Sequence, residues 1–199
     1  MADPRTSASP SAWRTVDIVV AAVIAVAFGV VFWAWNALWA TTSPAFTALP
    51  ASQGVLYGVW LIPAVLGGLV IRKPGAALFC ELLAAIVSAL IGSQWGLDTL
   101  VSGAMQGGAA EVVFAAGRYR SWGLGTAIVA GIASAIAAWL HDMVVYYPDL
   151  GIGDWAIFAP FMLVSAAVIA GVGSYHLTRS LAETGVLASF ASGRTQSRI

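Results

Sequence analysis

Asn36, Glu81, Gln106, Glu111, His141 and Asp142 fall inside apolar stretches of the sequence, and Gln94 and Asp98 lie in a short gap between two such stretches. Polar and ionisable side chains are costly in hydrocarbon, so positions of this kind point first to ligand sites, ion pathways or proton relays. Amides, imidazole and carboxylates can together read the donors and acceptors of a small polar molecule. Covalent catalysis finds less support. The sequence has no GxxxxGK[ST] phosphate loop, its one lysine, Lys73, sits at the edge of an apolar run, and no paired His or Cys spacing suggests a metal site. A hydrolase using a serine with His141 and Asp142 can be imagined, but neighbours on a helix project about 100° apart and are not expected to form an oriented pair. The acids are not spaced along one helix as a relay, and no broken helix with a substrate-facing half-helix end is evident, which argues against an ion pathway. The expectation is a binding protein, not an enzyme, with no cofactor and no metal.

These residues must be positioned by six apolar runs. The chain has 199 residues, 60% hydrophobic and 9% charged, with a mean hydropathy of +0.87, too much apolar surface for a water-soluble globule. At roughly 20 residues per span, six helices use most of the chain and leave room for a single domain. The predicted helices are Val16 to Ala40, Gly54 to Ile71, Pro74 to Gly92, Thr99 to Gly117, Ser121 to Tyr147 and Trp155 to Arg179, with Thr41 to Gln53 as a loop. The basic residues sit at Arg5 and Arg14, at Arg72 and Lys73, at Arg118 and Arg120, and at Arg179, Arg194 and Arg198, while the alternate gaps carry none. Since cytoplasmic loops retain Lys and Arg, the expected protein is an all-α, six-span membrane bundle with both termini cytoplasmic. Residues 1–15 form one cytoplasmic tail, 16–179 the membrane domain, and 180–199 a second tail expected to be mobile.

Other features narrow the class. Net charge is zero, so there is no basic patch for nucleic acid. The single Cys80 lies inside a span, which excludes an internal disulfide framework. Arg14 before the first run resembles a signal peptide, but the run is long and lacks a small-residue cleavage site, so it reads as an uncleaved helix. No internal repeat supports an inverted-repeat transporter.

Small residues and tryptophans supply the next signals. Ala21, Ala25 and Gly29 recur every fourth residue in the first helix, a face suited either to packing within the bundle or to docking another membrane subunit. Trp33, Trp35, Trp39, Trp60, Trp95, Trp139 and Trp155 fall in the outer half, against Trp13 and Trp122 near the cytoplasm. An aromatic belt should enrich both interfaces, so the excess suggests that some rings line an outward-facing cavity. By depth, Glu81 reads as part of that cavity, and Glu111 as either its floor or a structural acid.

Several segments resemble a known family. Gly58-Val-Trp-Leu-Ile-Pro63, Ile71-Arg-Lys-Pro-Gly-Ala-Ala77 followed by Glu81, Gly92-Ser-Gln-Trp-Gly96 and Gln106-Gly-Gly-Ala-Ala-Glu111 are similar to the YkoE-type substrate-capture subunits of energy-coupling factor transporters. The resemblance covers about Val16 to Arg179. It implies a six-helix subunit in a bacterial plasma membrane that captures thiamine or its hydroxymethylpyrimidine precursor from outside, with a separate transmembrane coupling subunit and ATP-binding cassette ATPases as partners. It also implies that the Ala21, Ala25, Gly29 face docks on the coupling subunit.

Thiamine joins a flat aminopyrimidine to a cationic thiazolium, and aromatic faces attract such a cation. The expected lining is Trp33, Asn36, Trp60, Glu81, Gln94, Trp95, Gln106, His141 and Tyr146. Alternatives are a capture subunit for another flat heteroaromatic nutrient, a stand-alone proton-coupled carrier, or a structural protein with no specific ligand.

Overall fold

The computed structural model describes residues 12–194, so Arg5, Arg198 and the outer parts of both tails lie outside the described residues. The first helix, Thr15–Thr42, begins where Arg14 is extended and its N–H donates to Asp17 Oδ2 at 2.7 Å. Asp17 is fully buried and ion-paired to Arg14 at 2.7 Å and to Lys73 at 2.5 Å. One face of this helix is buried, running Asp17, Ala21, Ala25, Gly29, Phe32 and Asn36. Its other faces present Ile18, Val19, Val23, Val26 and Val30 outward, as expected of a helix meeting lipid on most sides.

A second helix, Pro50–Ile71, changes winding midway: it is 3-10 over Pro50–Leu61 and α over Ile62–Ile71. The third is Ala76–Leu90, the fourth Asp98–Ala116 and the fifth Leu124–Val145. A sixth, Ile152–Glu183, is α to Ser165, π over Ala166–Gly173 and α again from Ser174. A short helix, Ala191–Arg194, follows. The first helix packs on the third, the third on the fourth, the fourth on the fifth and the fifth on the sixth, and the second lies at the centre of that ring. Its central place explains why it is the most buried of the long apolar helices.

The first, second, fifth and sixth helices are long and apolar enough to cross a membrane. The third, at 15 residues, is apolar but shorter, and the fourth carries Asp98, Gln106 and Glu111. The polar Glu81 and Gln106 on these two helices are buried, turned to the bundle interior, where such side chains are tolerated.

Several expectations are corrected. Thr41 to Gln53 is not an open loop, because the first helix continues to Thr42, a 3-10 turn covers Ser43–Phe46, and the second helix begins at Pro50. Pro74 lies outside the third helix, whose N-cap is Gly75 at φ +85°. That left-handed conformation favours glycine. The second helix runs without interruption through its change of winding. Nor is the segment after Ala182 a free tail. Leu187 and Phe190 are buried against Leu66, Val70 and Ile71, and Ser192 Oγ donates to the Val70 carbonyl at 2.9 Å.

The small-residue face of the first helix is also corrected. Ala21 and Ala25 have no exposed surface, and a Cβ built on Gly29 would lie 2.5 Å from Val87 Cβ and 3.0 Å from the Ala84 carbonyl oxygen. The third helix therefore already occupies the face, and Ala21, Ala25 and Gly29 serve close packing inside this chain. At the basic end, Glu111 acts as a structural acid, accepting from Gly75 N at 2.7 Å, Ala77 N at 2.9 Å and Tyr119 Oη at 2.8 Å. It thereby satisfies free N–H groups at the start of the third helix. Burial, and then the bond to Glu111, push the Tyr119 phenol up to about 12, so it stays a donor at neutral pH.

Candidate functional site

At the end of the bundle opposite Arg14, Lys73 and Arg118, the helices part around a cavity of about 880 Å³, counting its open mouth. Every helix contributes. Phe32, Asn36 and Trp39 come from the first, Gly54, Tyr57 and Trp60 from the second, Glu81, Ala85 and Ser88 from the third. Asp98, Ser102 and Gln106 come from the fourth, Asp142 and Met143 from the fifth, and Phe158 and Met162 from the sixth, with Trp95, Tyr146 and Tyr147 from the connections.

Two groups of rings line it. Trp39, Tyr57 and Trp60 meet with centroids 5.1 to 6.3 Å apart. Trp95 and Tyr146 meet at 5.0 Å. Their tilted and edge-on geometries leave ring faces available to a flat guest. The 3-10 winding places Tyr57 and Trp60, three residues apart, on one side, because side chains at i and i+3 eclipse in that helix.

A polar chain joins the two groups. Tyr57 Oη donates to Asp142 Oδ2 at 2.7 Å, His141 Nδ1 lies 2.9 Å from Asp142 Oδ1, and His141 Nε2 lies 3.2 Å from Asp98 Oδ1. Tyr146 Oη donates to Asp98 Oδ2, and burial followed by that bond pushes its phenol pKa up. Both nitrogens of His141 thus face carboxylate oxygens, an arrangement in which both can donate. Two carboxylates flank one imidazole in the trio of Asp98, His141 and Asp142. The expectation that adjacent His141 and Asp142 do not pair is corrected: side-chain reach closes the angle between them.

Asn36 is held from two sides, its Oδ1 accepting from Trp60 Nε1 at 3.0 Å and its Nδ2 donating to Ser93 Oγ at 3.0 Å. It therefore fixes the indole of Trp60 as well as lining the cavity. Gln106 Nε2 donates to Ser102 Oγ at 2.6 Å. Glu81 is fully buried. Its Oε2 accepts from Ala64 N at 2.8 Å, an N–H freed at the start of the α portion of the second helix. Glu81 Oε1 and Ser88 Oγ have no hydrogen-bond partner among the described residues, and both residues line the cavity.

Of the residues singled out from sequence, Asn36, Trp60, Glu81, Trp95, Gln106 and Tyr146 line the cavity. His141 stands behind it, buried and bonded to the lining Asp98 and Asp142. Trp33 is 48% exposed on the outside of the first helix, and Gln94 is exposed with its amide donating to the Asn36 carbonyl at 3.2 Å. Neither belongs to the lining, because the helical phase of Asn36 turns Trp33 outward and Gln94 is drawn to the backbone. Tyr57, Asp98, Ser102, Asp142 and Tyr147 were not anticipated as lining. The signal for Tyr57 is its spacing of three from both Gly54 and Trp60, visible only if the segment is read as 3-10.

Comparison with known proteins agrees with this architecture. The family described as ABC-type cobalt transport system, permease component, matches residues 16–137. A Bacillus subtilis (strain 168) protein bearing the name HMP/thiamine permease protein YkoE is 35% identical over 183 residues, 92% of this chain and 91% of its own length. A solved structure described as an S-component of an ECF transporter superposes with a TM-score of 0.89 at 34% identity, covering 94% of both chains. Identity of this order over nearly the whole length, on the same helical frame, places a multi-pass plasma-membrane protein rather than an enzyme around the cavity. The chain belongs to the YkoE family of energy-coupling factor S-components, the substrate-capture subunits of importers of that type.

Proposed function

We propose that this subunit captures thiamine, or its hydroxymethylpyrimidine portion, from the outer side of the membrane. The observation that carries the reading is a cavity combining two groups of aromatic rings with a carboxylate pair around His141. Ring faces beside a pair of carboxylates suit a flat organic monocation, and a desolvated cation over an aromatic face gains about 2 kcal/mol. The open Glu81 Oε1 and Ser88 Oγ offer hydrogen-bonding to the aminopyrimidine. The named relative adds support, being an HMP/thiamine permease by name.

In this reading all six helices of residues 16–179 cross the membrane, both termini are cytoplasmic, and the cavity opens outward. Arg14, Lys73, Arg118, Arg120 and Arg179 gather at one end as the positive-inside rule requires, and the cavity lies at the other. A transmembrane coupling subunit and ATP-binding cassette ATPases supply transport.

The test is binding by the detergent-purified subunit, followed by mass measurement of any co-purified small molecule. Saturable thiamine or hydroxymethylpyrimidine binding is expected. No binding of either would sink the proposal, and uptake driven by a pH gradient in vesicles holding this subunit alone would favour a stand-alone carrier.

A further inference from the structure

The second helix carries an unusually long irregularity: 12 residues, Pro50–Leu61, wound as 3-10, where runs beyond about four residues are uncommon. Its geometry governs the site. Gly54, Tyr57 and Trp60 line the cavity at a spacing of three, which a 3-10 helix stacks on one side. In α winding each three-residue step drifts by about 60°, so Gly54 and Trp60 would diverge by roughly 120°. Tyr57 would also leave the Asp142 carboxylate it now meets at 2.7 Å.

One side chain bridges the segment. Ser165 Oγ accepts from Gly58 N at 2.9 Å and donates to the Val55 carbonyl at 2.6 Å. Gly58 and Val55 are three apart, the pair that a 3-10 rung would join. The hydroxyl bridges that rung, engaging the Gly58 N–H that an α-helix would give to Gly54 and the carbonyl it would give to Val59. The approach depends on glycine, since a Cβ at Gly58 would lie 2.5 Å from the Ser165 carbonyl oxygen. Ser165 itself immediately precedes the π segment Ala166–Gly173, so the two irregular windings face each other across this bridge.

We propose that Pro50–Leu61 is a two-state gate, 3-10 when the site is assembled and α when it is open, and that Ser165 is the positioning residue that holds the assembled state. This rests on the cavity being the ligand site. With a rise of ~2.0 Å per residue in 3-10 and ~1.5 Å in α, the 12 residues shorten by about 6 Å on opening. The α portion, Ile62–Ile71, is buried on nearly every residue, so the movement is taken up at the Pro50 end.

The experiment uses the full chain in nanodiscs, with spin labels at Leu49→Cys and Arg120→Cys, both exposed, while Cys80 is buried and stays unlabelled. The ligand-free parent should give one main distance. Ser165→Ala should add a population shorter by up to about 6 Å, which thiamine returns to the parent distance, with thiamine affinity lowered roughly tenfold through faster dissociation. Val55→Ala guards against a misfolded Ser165 variant. It leaves the bridging backbone groups in place, raises intrinsic α propensity at an exposed position, and should shift the populations the same way by a smaller amount. A single parent-like distance in both variants overturns the gate, as does a loss of affinity in Ser165→Ala without the second distance. If the parent binds neither thiamine nor hydroxymethylpyrimidine but both variants still show the shorter population, the gate stands and the ligand assignment falls.

Discussion

Replacing Asp142 by asparagine tests whether the site recognises charge. The amide keeps an acceptor for His141 and a polar partner for Tyr57, which now lie 2.9 and 2.7 Å from the carboxylate, so shape changes little. The trio with Asp98 loses one of its two carboxylates. A cation held about 6 Å from the lost charge would forfeit about 2–3 kcal/mol at an effective dielectric near 20, or a rise in thiamine Kd of roughly 30- to 150-fold. The neutral hydroxymethylpyrimidine lacks that term and should weaken by no more than about threefold on the same scale. Isothermal titration of both compounds against both proteins, at one pH and moderate salt, measures the difference. Equal losses for the two ligands would refute the electrostatic argument and leave Asp142 a purely geometric support for Tyr57.

Thiamine should quench the intrinsic fluorescence, and Trp60→Ala or Trp95→Ala should each raise its Kd roughly 2- to 30-fold, whereas Trp33→Ala, exposed and outside the lining, should leave it unchanged in the same titration. Glu111→Ala strips the acceptor from Gly75 N and Ala77 N and should lower stability by about 1–3 kcal/mol, seen as a reduced Tm in detergent, with thiamine affinity intact because Glu111 does not line the cavity. A cysteine at Ala48 should react with a membrane-impermeant reagent outside intact cells and one at Ser121 should not, both positions being exposed; the reverse labelling would invert the proposed topology.

The helices were legible because hydropathy marks them: the fifth, expected from Ser121 to Tyr147, is Leu124–Val145, and the fourth, expected from Thr99 to Gly117, is Asp98–Ala116. Polar residues inside apolar runs pointed to Asn36, Glu81 and Gln106 because burying them needs a reason, and all three line the cavity. What hydropathy does not carry is phase. Trp33 and Asn36 share a helix, and only contact with the third helix decides that Asn36 turns inward. Tyr57 stayed hidden because its role depends on 3-10 winding in a segment bridged by Ser165 more than a hundred residues away. Asp98 and Asp142 were noted as polar but not joined, since the bond through His141 links two helices whose neighbour relation the sequence does not state. The Ala21, Ala25, Gly29 repeat shows the converse: small-residue spacing reveals that a helix is approached closely, not by which partner.

The seam at the basic end has a consequence for how the protein is made. Arg14 reaches the Ser189 carbonyl and Phe190 from 175 residues away in sequence, and Ser192 reaches Val70 across 122. During synthesis the first two helices are therefore made before the part of the Leu66, Val70 and Ile71 cluster that Leu187 and Phe190 cover can be closed. That part cannot be sealed by its own chain until Leu187 and Phe190 have been translated, whatever order the intervening helices follow. The segment is thus a late clasp: it ties a stretch near residue 190 to the first two helices, and this side of the cluster closes only after every intervening helix has been made.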